Sequence, residues 1–119
     1  MAQQQESGMF VRGEFKGYRF VPWNDDEPQG NGDHVIYIKT GEGKEPWGEA
    51  KDYVEEVVVF GEEQVGFYAE KADELRGKFV ELAVRIDLKA GTSKRTGKPY
   101  AFNTTRQAGR ALVRVVKAA

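Results

Sequence analysis

Apolar and polar residues alternate along several stretches of this chain, a pattern typical of half-buried β-strands. The first stretch, residues 9–23, is long and contains glycines, so it predicts a strand with a bend or a bulge. Shorter strands are predicted at residues 34–40 and 53–60. The acidic, turn-rich residues 24–33 and the polar residues 41–52 are predicted to form the loops between these strands.

The pattern changes to a helical period over residues 62–78, where apolar side chains recur every three or four positions. Gly77 supplies the left-handed residue that commonly ends a helix. Alternation returns at residues 80–89 and predicts a strand with one core face and one solvent face. Glu81 belongs to the predicted solvent face. The predicted core face consists of Val80, Leu82, Val84, Ile86 and Leu88.

A basic turn at residues 91–99 leads into a strand at 100–106, and a last short strand is predicted at 111–116. Three strands, one helix, two strands and a short extra strand form the element order of the OB-fold. An up-and-down barrel would not place a single helix there, and a ferredoxin-like fold would need two helices. The sequence therefore predicts an all-β, five-stranded Greek-key OB barrel over residues 9–119, with a disordered N-terminal segment at 1–8.

Composition narrows the class of function. The 119 residues contain no cysteine and one histidine, His34, which is expected at a strand edge and not as a ligand. No phosphate-binding loop or nucleophile elbow is present, and the paired acidic residues are explained by solvation and by the helix dipole. We expect no catalysis, no metal and no cofactor. No apolar stretch reaches membrane-spanning length and the N-terminal residues lack a signal-peptide core, so a cytoplasmic protein without membrane contact is expected.

Charge is unevenly distributed along the chain, although the formal net charge is only −1. From residue 85 onward there are nine basic residues and one acidic residue, whereas the preceding 84 residues hold 9 basic and 18 acidic residues. Such asymmetry between segments predicts a localised positive surface for a polyanion. A chance excess of cations on solvated strands is the alternative interpretation.

Residues 94–102 combine the two features that sequence-tolerant binding of single-stranded nucleic acid requires, which are cations for phosphates and aromatic faces for bases. Lys94, Arg95 and Lys98 lie on the predicted basic turn, and Tyr100 and Phe102 share one face of the next strand. Other strands and loops supply further candidate DNA-binding residues with cationic or aromatic side chains, namely Tyr37, Lys39, Trp47, Arg85, Lys89 and Arg106.

Several of these residues have a second interpretation. Tyr100 and Phe102 could equally form a core pair, and Tyr100 is the better binding candidate because its hydroxyl tolerates a wet surface. Trp47 stands alone in a polar segment, where it could close over DNA or pack onto a partner subunit. Trp23 also lies in a polar segment and has the same two interpretations, contact with DNA or contact with a partner subunit.

Residues 54–61 (VEEVVVFG), the helix, residues 77–88 (GKFVELAVRIDL) and Tyr100 resemble the bacterial single-stranded DNA-binding proteins. Phe60 matches a stacking position of that family, although a core role for Phe60 stays open. Residues 94–103 (KRTGKPYAFN) resemble the DNA-binding wing of filamentous-phage single-stranded DNA-binding proteins. The resemblance spans residues 53–106. It implies binding of single-stranded DNA in replication or recombination by a homodimer or homotetramer.

The chain departs from that family pattern at three points. Val54 stands where many members have a stacking tryptophan, and a second expected tryptophan falls near Gly91. The sequence ends in VRVVKAA and not in an acidic recruitment tail. We therefore expect a phage- or plasmid-type relative, located in the cytoplasm at the nucleoid or at phage replication sites, that recruits no partner through such a tail.

Two alternatives to binding of single-stranded DNA remain. An OB-fold protein-interaction module of a phage or mobile element would use the acidic residues 24–33 and 41–56 as its surface. RNA binding relies on the same cations and aromatic faces. Salt dependence distinguishes DNA binding from the protein-interaction module, because polyanion binding weakens steeply with salt.

Overall fold

The computed structural model describes residues 9–117, so the predicted disordered segment 1–8 lies outside the described residues, as do residues 118–119. Six strands and one helix follow each other in the order that the sequence predicts. They are β1 (Met9–Pro22), β2 (Gly32–Lys44), β3 (Ala50–Val59), α1 (Glu62–Leu75), β4 (Phe79–Thr92), β5 (Pro99–Gln107) and β6 (Arg114–Val115).

The first five strands close into a barrel in the order β1-β2-β3-β5-β4, with β4 returning to β1. All pairings are antiparallel except the contact of β3 with β5, which is parallel at Val58 and Arg106. The short β6 pairs with the outer edge of β4. The predicted OB-fold is thus confirmed, with its helix between the third and fourth strands.

Barrel closure depends on a bend in β1, whose first half pairs with β4 and whose second half pairs with β2. At the crossing, a Cβ on Gly13 would lie 2.0 Å from the carbonyl oxygen of Lys39, so only glycine allows this approach of two backbones. The register with β2 then shifts between Phe15 and Gly17. This confirms the predicted bend or bulge in the first strand.

The core lies inside the barrel and against α1. Tyr68 is fully buried, its ring stacks on Phe15 with centroids 6.3 Å apart, and its hydroxyl accepts a hydrogen bond from the Val113 amide at 2.9 Å. Burial raises the pKa of Tyr68 to about 12 against the opposing effect of that hydrogen bond. The tyrosine therefore ties the helix to the C-terminal segment. The remaining core residues are Ile36, Ile38, Val57, Val59, Leu75, Val80, Leu82 and Val84.

Two sequence-based predictions about strand length are wrong. Residues 41–52 do not form a loop, because β2 continues to Lys44 and β3 begins at Ala50, so that the turn between them is short. The last strand is limited to Arg114–Val115 and does not span residues 111–116. Ladder hydrogen bonds between the two polar strands stabilise the longer hairpin without a core face.

The prediction for the two faces of β4 is correct only inside the barrel. Val80, Leu82 and Val84 are buried, but Ile86 and Leu88 are 44% and 68% exposed because β4 leaves the barrel after residue 84. Glu81 is buried, contrary to the prediction, with 5% of its surface exposed. Its carboxylate accepts hydrogen bonds from Arg114 and Arg12 on the flanking strands, which lowers its pKa below the usual range.

Candidate nucleic-acid interface

Two hairpins extend beyond the barrel, and they differ in charge. The acidic arm, residues 41–56 of β2 and β3, contains six acidic and two basic residues. The basic arm, residues 85–106 of β4 and β5, contains six basic residues and one acidic residue. The positive charge that the sequence predicts is thus concentrated on the basic arm.

One face of the basic arm combines aromatic and cationic side chains. The antiparallel register pairs Lys89 with Phe102 and Arg85 with Arg106, and directly paired residues share a face. The rings of Tyr100 and Phe102 stack with centroids 6.0 Å apart and planes 26° apart, and about half of each side chain is exposed. These two residues therefore form no part of the core.

Gly91 explains how the tyrosine is held. It pairs with Tyr100 across the arm, and a Cβ on Gly91 would lie 2.9 Å from the Tyr100 hydroxyl oxygen. The ring thus lies against the glycine backbone, and about half of the side chain stays exposed. A residue with a larger side chain at position 91 would force the ring to move.

The tip of the basic arm is an ordered turn. The Ser93 amide donates to the Lys98 carbonyl at 2.9 Å, and the Gly97 amide donates to the Ser93 carbonyl at 2.8 Å. Gly97 has a φ of +72°, which favours glycine. The turn exposes Lys94, Arg95 and Lys98, and none of these cations has an ion-pair partner among residues 9–117.

The base of the basic arm holds its single acid, Asp87, between two arginines. Asp87 Oδ1 lies 3.4 Å from Arg85 Nε, and Asp87 Oδ2 lies 3.0 Å from Arg106 Nε. The alignment at Arg106 Nε does not make a hydrogen bond, so this buried nitrogen is without one. Asp87 therefore partly neutralises the face that the arginines share.

The outer face of the barrel continues this surface. Arg106 is registered beside Val58 of β3, and Tyr37 lies on the neighbouring β2 with its hydroxyl buried. The Arg19 guanidinium lies 5.9 Å from the centroid of the Tyr37 ring, a cation–π distance. Sequence reasoning missed Arg19. The alternation of the sequence shows which residues of β1 share a face with Arg19, but it does not show which residues of β2 lie opposite them.

Trp47 lies in the turn of the acidic arm, and Lys39, which pairs with Val54, lies at the base of that arm, so neither shares the basic face. Lys39 Nζ lies 2.7 Å from Glu42 and 3.4 Å from Asp52, and the hydrogen bond to Glu42 is the main cause that raises the pKa of Lys39. Trp47 is 70% exposed in the turn, and its indole N–H donates to Glu49 at 2.7 Å. Lys39 is thus already neutralised by two carboxylates of the acidic arm.

Phe60 occupies a different position from both arms. It follows β3, is exposed, and lines an open cavity of about 470 Å³ together with His34, Val65 and Arg106. Its backbone N–H donates a hydrogen bond to the side-chain oxygen of Gln107 at 3.0 Å. The core role that the sequence left open for Phe60 does not hold, because 41% of its surface is exposed, and it lines the same cavity as Arg106 of the basic arm.

The structure thus brings most of the candidate residues to one arm and the adjoining barrel face. Within residues 9–117, no three His, Cys, Asp or Glu side chains form a group that could hold a metal ion. No helix in the same part of the chain is long and apolar enough to cross a membrane. The residues that share the arm and the adjoining face are Tyr37, Phe60, Arg85, Lys89, Lys94, Arg95, Lys98, Tyr100, Phe102 and Arg106.

Comparison with known proteins finds likeness at the level of structure. No family model and no curated protein matches the sequence. The chain is similar to a Plasmodium falciparum SSB, whose structure is described as a complex with ssDNA, with a TM-score of 0.55 and 10% identity over 98% of this chain and 100% of that chain. It is also similar to the mitochondrial single-stranded DNA-binding protein Rim1 of S. cerevisiae, with a TM-score of 0.46 and 16% identity over 98% of this chain and 100% of that chain. The likeness to the P. falciparum protein agrees with the OB-fold described above.

Proposed function

We propose that this protein binds single-stranded DNA without catalysis and largely without sequence preference. The observation on which this proposal depends is the exposed, stacked pair Tyr100 and Phe102, which shares a face with Arg85, Lys89 and Arg106. Bases stack on such rings whatever their identity, and each stacked base contributes about 1–3 kcal/mol. The cations beside the rings are then in position to neutralise the phosphates that connect the stacked bases.

The DNA path that we propose starts at the tip of the basic arm and continues onto the barrel. Lys94, Arg95 and Lys98 bind phosphates, and the two aromatic residues of the arm bind bases. Beyond Arg106 the strand passes Phe60 or Tyr37, which lie on the adjoining barrel face. Trp47 lies on the acidic arm and Lys39 lies at its base, so both join this path only if the DNA spans both arms.

The fold gives this proposal independent support, because the P. falciparum protein that shares it is described in complex with ssDNA. The wider assignment is also part of the proposal. We propose a role in DNA replication or recombination of a phage, plasmid or similar element in the cytoplasm, and assembly as a homodimer or homotetramer. No cofactor is needed, because neither stacking nor phosphate contact requires one.

Titration of labelled oligo(dT), followed by fluorescence anisotropy at about 50 mM and about 200 mM salt, tests the proposal through the steep salt dependence of phosphate binding. We expect tight binding at low salt that weakens with a slope of about −0.7 per phosphate contact. Duplex DNA of equal length should bind more weakly, because its bases are not free to stack on Tyr100 and Phe102. Equal binding of duplex and single strand would contradict the proposal.

A protein-interaction module is the second candidate function, and the acidic arm with its exposed Trp47 favours it. The same titration separates the two functions, since an interaction module has no reason to bind oligo(dT) in a salt-dependent manner. An oligo(rU) titration run in parallel tests for a preference for RNA.

A further inference from the structure

We propose that the acidic arm of one copy docks onto the basic arm of a second copy when DNA is absent, and that single-stranded DNA displaces it. The displacement depends on the proposed function, whereas the docking does not. The occupant of the basic arm is thus a second copy of this chain, and the two ligands of that arm, carboxylates and phosphates, compete for the same cations.

The opposite charges of the two arms are the first reason to expect docking. The acidic arm has six acidic residues against two basic ones, and the basic arm has the reverse excess. The tip cations Lys94, Arg95 and Lys98 have no ion-pair partner among residues 9–117. A surface of one sign steers a surface of the other sign toward it and fixes their register.

The two arms do not neutralise each other within one chain. They leave the barrel side by side, where Thr105 Oγ1 donates to Glu55 Oε2 at 2.9 Å. The only registered pair between β3 and β5 is Val58 with Arg106, so beyond it the arms follow separate ladders to their tips. Within residues 9–117, no ion pair joins an acid of one arm to a base of the other. The complementary charges therefore remain available to a second copy.

The tip of the acidic arm carries an aromatic ring and carboxylates, both of which attract cations. Trp47 is 70% exposed there, Glu49 accepts its indole N–H, and Glu45 lies 3.6 Å from Lys51. An exposed indole ring attracts a guanidinium or ammonium through its face. The net charge of −1 gives copies little mutual repulsion, which favours association between unlike surfaces. The tip thus offers carboxylates and an aromatic face to the same cations that phosphates would contact.

Sedimentation velocity of the full chain without DNA tests the docking. Glu45→Lys with Glu49→Lys should weaken a salt-sensitive association step at least about tenfold, because like charges then face each other. The control is Glu70→Lys with Glu74→Lys on α1, which changes the net charge equally at exposed positions outside the arms. Adding Lys94→Glu and Arg95→Glu to the first variant exchanges the charges at the tips of the two arms and should restore association. Equal weakening in the control, or no rescue by the exchange, would overturn the proposal.

Addition of oligo(dT) to the wild-type protein tests the displacement. We expect the salt-sensitive association to disappear as DNA binds, because phosphates take the cations from the carboxylates. Binding of oligo(dT) with the association unchanged would overturn the competition. If oligo(dT) does not bind at all while the charge exchange still controls association, the docking stands and the proposed DNA-binding function fails.

Discussion

The two arms of this protein are built in the same way and differ mainly in charge. Each extends an antiparallel strand pair beyond the barrel, and each places a tyrosine against a glycine of the paired strand, Tyr53 against Gly43 and Tyr100 against Gly91. In the acidic arm, Lys51 beside Tyr53 is paired with Glu45 of the same arm. In the basic arm the tip cations are unpaired within the described residues.

This difference shows that an exposed aromatic residue on a hairpin does not by itself define a nucleic-acid site. Tyr53 and Tyr100 have similar exposure and similar support from a glycine. Only Tyr100 stands beside cations whose charge is not already matched by nearby carboxylates. Because phosphates accompany every base, the electrostatic surroundings decide which of two similar rings a DNA strand reaches.

The largest effect is expected from removing the cations of the basic tip. Lys94→Ala, Arg95→Ala and Lys98→Ala together should lower the salt slope by about 2, equivalent to about 100-fold weaker binding of oligo(dT) at 0.1 M salt. Lys44→Ala with Lys51→Ala, which removes both cations of the acidic arm, is the control and should change binding little. Anisotropy titrations at several salt concentrations measure both. An unchanged slope in the folded triple variant would place the DNA path elsewhere.

Charges on the arms should not change the stability of the barrel that carries them, and the pH dependence of unfolding tests this. Tyr68 has a pKa of about 12 in the folded protein against 10.0 ordinarily, so the unfolded chain loses this proton first. The contribution of Tyr68 to stability is complete below about pH 10 and is lost as the pH rises toward 12, a change of about 2–3 kcal/mol.

Denaturant unfolding at a series of pH values from about 9 to 12 measures this change as a fall in the free energy of unfolding. The triple variant of the basic tip should show the same fall as the wild type. Tyr68→Phe should be less stable at neutral pH and should lack most of the fall. The same pH dependence in Tyr68→Phe would mean that other groups, such as lysines, cause it.

The third test compares Tyr100 of the basic arm with Tyr53, which holds the corresponding position on the acidic arm. Tyr100→Ala should cost about 1–3 kcal/mol of oligo(dT) binding, and Tyr100→Phe little, because stacking uses the ring and not the hydroxyl. Tyr53→Ala removes the corresponding ring of the acidic arm and should leave binding nearly unchanged. Affinity and melting temperature are measured on the same samples. Equal losses of affinity for Tyr53→Ala and Tyr100→Ala would mean that DNA contacts both arms.

Sequence reasoning predicts most of the barrel, because the alternation and the helical period report directly which residues are buried. Inside the barrel, Val80, Leu82 and Val84 follow the alternation. The same pattern continues to Ile86 and Leu88, where β4 has already left the core. The period of a strand shows which residues share a face but not whether the core extends far enough to cover that face.

The site was predictable where it is local in sequence and unpredictable where it depends on register. Tyr100 and the tip cations lie within one hairpin, so their proximity follows from the chain itself. Arg19 reaches Tyr37 only through the pairing of β1 with β2, which a bulge shifts by one residue. Glu81 is likewise buried by two arginines from strands distant in sequence, which no local pattern indicates.

The smallest effect is expected at Asp87, the one acid of the basic arm. Asp87→Asn removes the negative charge between Arg85 and Arg106, whose Nε atoms lie 3.4 Å and 3.0 Å from its carboxylate oxygens. Freed arginines can contact phosphate, so the salt slope should rise by up to about 0.7 and binding at low salt should strengthen a few-fold. Asp52→Asn on the acidic arm should have no such effect, because Lys39 keeps its hydrogen bond to Glu42 at 2.7 Å. A lower melting temperature of Asp87→Asn with an unchanged slope would show instead that Asp87 only holds the arginines in place.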